Sequence, residues 1–239
     1  MKILILNGSA RGRKGITGKM LEALGKGLAE AKADVKTFLI AKLSISPCTA
    51  CLTCMHKTPG KCVIRDDMDP IYEALKTSDL LVMATPLYVD TMSAQLKTVM
   101  DRSLACLQPF LVKDESGRVR HPYNWRMPSR FLLLSTSAFP EPEVFLPLTT
   151  TFRAEAANFG SRPIGEVCIP GSIALQVEPE LLNRHRSLLE EAGRNLGTTG
   201  SIPEKLLQDL NTPPFDVDRY LQVAAKYEEW CRAQLSKSK

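Results

Sequence analysis

The chain has 239 residues, of which 44% are hydrophobic and 24% charged, and a formal net charge of +5. That length suits one α/β domain with extensions, or two small domains, with a sizeable buried core. The positive charge is small and scattered, part of it at residues 11–19 and 236–239, which argues against nucleic acid as a partner, and no apolar stretch is long enough to span a membrane.

The N-terminal apolar run is only Ile3-Leu4-Ile5-Leu6, shorter than the core of a secretion signal, so a cytoplasmic protein is expected. Four of the seven cysteines fall within residues 48–62. In a reducing compartment such clustering points to metal or redox chemistry before structural disulfides.

Lys2-Ile3-Leu4-Ile5-Leu6 reads as a buried central strand. The loop after it, residues 7–15, is rich in glycine, hydroxyl and positive charge. A helix follows, with Ile16, Met20, Leu24 and Leu28 on one face. A basic loop between a buried strand and a helix N-terminus offers free N–H groups and a favourable dipole to a phosphate, and Ser9, Arg11 and Thr17 can add donors. The alternative is a surface βα loop with no ligand. It is not a Walker A loop, because Met20 follows Gly18-Lys19 and Arg13 stands where the first glycine belongs. Nor is it a G-x-G-x-x-G fingerprint, because Ala10 replaces the second glycine.

Asp34-Val35-Lys36-Thr37-Phe38-Leu39-Ile40 alternates polar and apolar residues, as a strand near a sheet edge does. Asp66-Asp67-Met68-Asp69-Pro70 is a helix start, where the acids read as cap and dipole partners. Leu80-Leu81-Val82-Met83-Ala84 is a third strand, left by the loop at 85–90. A helix is expected over about 91–107. Residues 108–130 form a long polar insertion, either functional or an interface element, in which Tyr123 and Trp125 are candidates to cover a ligand or face a neighbouring subunit. Phe131-Leu132-Leu133-Leu134-Ser135 is a fourth strand, a helix spans roughly 143–159, and a fifth strand lies at 164–169. Helices at 180–196, 203–210 and 216–235 complete the chain, the last striped by Tyr220, Ala224, Tyr227 and Cys231.

This succession implies an α/β fold, a flavodoxin-like doubly wound five-stranded parallel sheet of order 2-1-3-4-5 with extra C-terminal helices. The expected division is an α/β domain at 1–198 and a helical extension at 199–239, with residues 197–203 as hinge. In such a sheet a ligand lies at the switch point between strands 1 and 3. There the loops at 7–16, 85–90 and 136–139 meet, offering in turn phosphate donors, a flat wall from Leu87 and Tyr88, and small hydroxyl residues. A planar heterocycle with one phosphate, such as flavin mononucleotide (FMN), suits that set. For Tyr88 ligand contact is the favoured role, and the alternative is a packed aromatic at a strand end.

These residues resemble the flavodoxin-like NAD(P)H-dependent FMN reductases, and within them the iron–sulfur flavoprotein group. The family's phosphate loop corresponds to Gly8-Ser9-Ala10-Arg11 with Ile16-Thr17. Its cysteine motif corresponds to Pro47-Cys48, Cys51, Cys54, Cys62 and Asp66-Asp67-Met68. A third match is Ala84-Thr85-Pro86-Leu87-Tyr88 with Gln95-Leu96-Lys97 and Asp101-Arg102. The departures are Ala10 for the usual proline, Ile16 for the usual asparagine, and two extra loop residues. The resemblance is dense over about residues 1–105. It implies an FMN phosphate at Ser9, Arg11 and Thr17, beside Ile16. It implies a flavin ring against Pro86, Leu87, Tyr88 and Val89, with Thr136, Ser137 and Ala138 beyond. NAD(P)H would be the reductant and a small-molecule or protein electron acceptor the partner, in a homodimer or homotetramer. Cys48, Cys51, Cys54 and Cys62 would hold a [4Fe–4S] cluster or remain free thiols; zinc is disfavoured, because its sites usually pair two separated C-x-x-C units. Three functions stay open: an FMN-dependent oxidoreductase, an iron–sulfur flavoprotein electron carrier, and a non-enzymatic flavin sensor.

Overall fold

A computed structural model describes residues 1–237. Strands β1 (Lys2–Asn7), β2 (Asp34–Leu39), β3 (Leu80–Pro86), β6 (Arg130–Thr136) and β7 (Arg162–Ile169) form one parallel sheet in the order β2-β1-β3-β6-β7. Setting aside the two-residue strands β4 (Val112–Lys113) and β5 (Val119–Arg120), this is the expected 2-1-3-4-5 order. Side chains alternate across the sheet. Leu4, Leu6, Leu81, Met83, Phe131 and Leu133 face one core, and Ile3, Ile5, Leu80, Val82, Leu132 and Leu134 face the other. Burial on both faces is why these strands read as unbroken apolar runs, whereas β2, at the edge, stays half exposed.

The first core is covered by helices α3 (Asp69–Thr77), α4 (Ala94–Arg102) and α5 (Leu146–Asn158). The second is covered by α1 (Ile16–Glu30), α7 (Pro179–Thr199) and α8 (Glu204–Asn211). Short helices α2 (Thr53–His56) and α6 (Ala174–Val177) sit in connections, and α9 (Val217–Lys237) packs on α6 through Tyr220, Val223 and Ala224.

Several boundaries differ from the sequence reading, for local reasons. The helix expected from 91 begins at Ala94, because Ser93 caps it by accepting from the Leu96 amide and residues 88–91 form a turn. The helix expected from 143 begins at Leu146, after a 3-10 turn at Pro142–Phe145. Within the insertion, Asp114 accepts from the Arg118 amide and the Ser116 hydroxyl and closes a small antiparallel hairpin, β4–β5. Helix α7 runs on through Thr199, and Gly200 (φ +76°) ends it. Leu206 and Leu210 of α8 join the second core, and the Asn211 amide donates to the Glu166 carbonyl while accepting from Cys168 N.

Candidate cofactor site and cysteine loop

At the carboxyl end of β1, Asn7 Oδ1 accepts from the Ser9 amide at 3.0 Å and turns the chain. Gly8 follows in close quarters. Its amide donates to the Ala84 carbonyl, its carbonyl accepts from Ser93 Oγ at 2.6 Å, and a Cβ there would lie 2.7 Å from Leu96 Cβ. This fixes the loop against β3 and α4. A 3-10 turn at Gly12–Lys14 then leads to α1, whose N-cap is Gly15, with neither a side-chain cap nor an acid in the first turn. The leading amides of α1 therefore lack a side-chain acceptor, and the helix dipole is uncompensated there. Ser9, Ile16 and Thr17 are buried at this point, while Arg11 is exposed.

The second loop leaves β3 at Pro86. Leu87 N donates to the Thr136 carbonyl at 2.9 Å, joining the second loop to the third. Tyr88 and Thr91 exchange backbone hydrogen bonds of 3.0 and 3.2 Å across Val89 (φ +46°) and Asp90 (φ +61°). Two positive φ angles in a two-residue connection are type I′ geometry, which normally takes asparagine or glycine. A β-branched valine there is strained. The turn leaves both side chains exposed, Val89 at 95% and Tyr88 at 46%.

In the third loop Thr136 and Ser137 are buried and Ala138 is exposed. Thr136 Oγ1 lies 2.7 Å from Thr17 Oγ1, so two residues expected at opposite ends of a ligand meet directly. Ser137 Oγ accepts from Phe139 N and is a structural hydroxyl. Tyr220 of α9 donates to the Ala138 carbonyl. Ser93 and Tyr220 buttress the site and were not singled out from sequence; the stripe containing Tyr220 signalled only burial.

The four clustered cysteines border one small void of about 20 Å³, with Leu52, Met55, Ile64 and Leu104 among its walls. Cys48 and Cys51 are exposed, Cys54 and Cys62 half-buried. Burial, and then the neighbouring Cys62, Cys48 and Cys51, push the Cys54 thiol up; hydrogen bonding by Thr53 draws Cys51 down. Left-handed Ala50 (φ +51°) and Leu52 (φ +55°) wrap the chain around Cys51. Gly60 (φ +79°) donates its amide to the Cys54 carbonyl and returns the chain to Cys62. Among the described residues, no three Cys, His, Asp or Glu side chains close on a single metal-ion position.

Arg102 clamps this loop at both ends. It donates to the Ser46 carbonyl (2.8 Å), the Ile64 carbonyl (3.1 Å) and the Asp66 carboxylate (2.8 and 3.3 Å). Asp66 also accepts from the Ser46 and Met68 amides. Burial opposes ionisation of Asp66, yet hydrogen bonds from Arg102 and these amides hold its carboxyl below the usual range. The sequence reading of Asp66 as a helix cap is thus corrected: its main partner is Arg102. Trp125 donates to the Gly60 carbonyl and packs edge-on against Tyr72, 6.0 Å between centroids, so within the chain it braces the cysteine loop. Tyr123 reaches the Asn158 carbonyl at the end of α5.

A doubly wound sheet with three loops converging at its switch point defines a flavodoxin-like α/β protein. Consistent with this, residues 1–116 match the family model described as NADPH-dependent FMN reductase. Among curated proteins, an iron–sulfur flavoprotein of Archaeoglobus fulgidus is 39% identical over 104 residues, covering 44% of this chain and 46% of that protein. An iron–sulfur flavoprotein of Methanosarcina thermophila is 36% identical over 121 residues, covering 49% of this chain and 60% of that one. The chain thus spans about half the length of the curated relatives it matches. Among solved structures, the NAD(P)H:quinone oxidoreductase of Methanothermobacter marburgensis superposes with a TM-score of 0.62 at 16% identity, over 82% of this chain and 96% of that one. An FMN-dependent NADH-azoreductase of Bacillus anthracis, in complex with FMN, gives 0.61 at 16% identity, over 82% and 100%. At that identity the likeness is one of fold.

Proposed function

We propose that the protein is an NAD(P)H-dependent FMN oxidoreductase that passes electrons to a quinone, a flavin or another small-molecule acceptor. The observation that carries this reading is the uncapped N-terminus of α1 beside buried Ser9 and Thr17, tied through Thr17–Thr136 to the other two loops. Such a cradle fits a phosphate monoester, and the α1 amides, Ser9, Arg11 and Thr17 would hold it, with Ile16 packed beneath. Pro86, Leu87, Tyr88 and Val89 would take one side of the ring, and Thr136, Ser137 and Ala138 its edge. FMN, when bound, supplies the hydride and electron chemistry; the chain's own residues bind and orient it. The FMN-bound azoreductase and the quinone oxidoreductase of like fold support this reading. All seven cysteines are unpaired, which suits a cytoplasmic setting. No described helix is long and apolar enough to cross a membrane.

The test is a flavin titration joined to an NAD(P)H oxidation assay with quinone. FMN should bind more tightly than riboflavin, which lacks the phosphate. Joint Arg11→Ala and Ser9→Ala substitution should weaken FMN by about 1.5–3 kcal/mol for each charge-assisted hydrogen bond lost, and leave riboflavin nearly unchanged. Equal weakening of both flavins would put the phosphate elsewhere, and FMN-loaded protein that oxidises neither NADH nor NADPH would leave a carrier or sensor.

A second reading, an electron-carrying flavoprotein with a [4Fe–4S] cluster, draws on the four thiols around one void and on the names of the relatives. The donor set fits such a cluster, and thiols spread around a space suit it better than a lone ion. The void is small, so the exposed side of the loop, with Cys48 and Cys51, must move outward to admit it. Cys48, Cys51, Cys54 and Cys62 would hold it, and it would supply one-electron transfer. Anaerobic protein with about four irons and matching acid-labile sulfide per chain is the expected result. Full flavin with no iron or sulfide would remove this reading and leave the reductase.

A further inference from the structure

On the face of α4 and α5, beneath the β4–β5 hairpin, lies a cavity of about 350 Å³. The sequence reading assigned it nothing, and it borders none of the three loops above. Its walls include Leu104, Leu107 and Phe159. The volume is that of a small-molecule site, enough for one or two aromatic rings. Glu155 of α5 lines it, and Glu155 Oε2 is buried with no hydrogen-bond partner among the described residues. A buried carboxylate left in this state is costly, and a cation beside it would offset the cost.

The surrounding charges decide which ligand suits. From α4 come Lys97 and Asp101, paired with each other at 2.5 Å. From the hairpin come Arg120, which has Asp114 at 3.8 Å, and His121, whose Nδ1 lies 3.0 Å from the Phe110 carbonyl. Each long cation here has a carboxylate within 4 Å, although Arg120 Nε, like Glu155 Oε2, makes no hydrogen bond among the described residues, while Glu155 has no cation that close. We propose that this cavity is a binding site for a small organic cation, a protonated amine or amidine on a flat apolar body, with Glu155 as its counter-ion and Leu104, Leu107 and Phe159 against its ring.

Burial first, and then Asp101 nearby, push the Glu155 carboxyl up to about 7, with Lys97 acting in the opposite direction. The site therefore carries its negative charge above neutrality and loses it in acid.

Benzamidine and its neutral isostere benzamide, titrated calorimetrically into the full-length protein, test the proposal. Benzamidine should bind at pH 8 and at least tenfold more weakly at pH 5.5, and benzamide should bind weakly at both. Glu155→Gln should abolish benzamidine binding at pH 8 while its flavin affinity and circular dichroism stay those of the parent. Equal binding of the two probes, or benzamidine binding that is retained in Glu155→Gln, would overturn the assignment, as would no binding of benzamidine at pH 8. If Glu155→Gln does not fold, the comparison of the two probes on the parent protein decides alone.

Discussion

Arg102 carries its charge into the interior with a side chain that is 0% exposed, where Asp66 and two backbone carbonyls take its two terminal nitrogens and Nε is left without a hydrogen-bond partner among the described residues. A pair of this kind is costly to break from one side, because the remaining charge is stranded. Arg102→Met should therefore destabilise the protein by about 3–5 kcal/mol in urea melts at pH 7. The effect should shrink in acid. Asp66 has a folded pKa below its unfolded value, so its contribution is present above the ordinary carboxylate range and is lost as pH falls through the depressed value. A penalty unchanged at pH 3 would show that Arg102 acts by packing alone. From sequence, Asp101-Arg102 stood as part of a motif and Asp66 as a cap, because helix periodicity reports neighbours along the chain. The partnership of residues 36 apart follows from the return of the cysteine loop onto α4, which no local pattern encodes. Val89 shows the same gap. Valine favours extended backbone, so nothing in its identity signals φ +46°. Val89→Asn should relieve strain and raise the urea midpoint of flavin-free protein by about 1 kcal/mol equivalent; an unchanged midpoint would mean that the turn is held without cost.

At the scale of elements, the tightest helix contact is between α1 and α7, which cover one face of the sheet together. Their backbones nearly touch: a Cβ on Gly27 would lie 1.9 Å from the Glu190 carbonyl oxygen, and one on Gly193 would lie 2.2 Å from that of Leu24. Neither approach could accept a methyl group without moving a helix. Gly193→Ala should therefore destabilise by about 1–3 kcal/mol, although alanine is the better helix former. Thermal melts check the sign, and a stabilised variant would show that the helices separate freely. The apolar stripe of α1 was legible, and so was α7 as a helix over 180–196. Their mutual contact was not, because small residues inside a helix read locally as weak propensity. The five strands were legible for the opposite reason, since burial on both faces writes itself as a continuous apolar run. The hairpin at 112–120 was missed because two-residue strands carry no period, although Asp114 and Gly117 held a turn signal.

For the molecule as a whole, two buried titratable groups set opposing slopes of stability against pH near neutrality. Burial lowers the pKa of His185, whose Nδ1 lies 2.9 Å from the Leu181 carbonyl and whose Nε2 is buried without a partner among the described residues. The folded state thus binds fewer protons there than the unfolded chain, and stability is lost as pH falls below the histidine's ordinary value. Glu155 works in the other direction. Its pKa rises from 4.5 to about 7, so the folded state holds a proton that the unfolded chain has released, and stability falls as pH rises across that interval. In the parent protein the two slopes therefore oppose each other near neutrality. Glu155→Gln removes one slope and leaves the other. Its stability relative to the parent should grow from near zero at pH 4.5 to at most about 3 kcal/mol above pH 7, the value of the shift in free energy. Urea melts of both proteins at half-unit steps from pH 4.5 to 8 measure the difference directly. A constant difference across that range would mean that Glu155 titrates as an ordinary surface carboxylate, and the cavity beside it would then lose its buried charge.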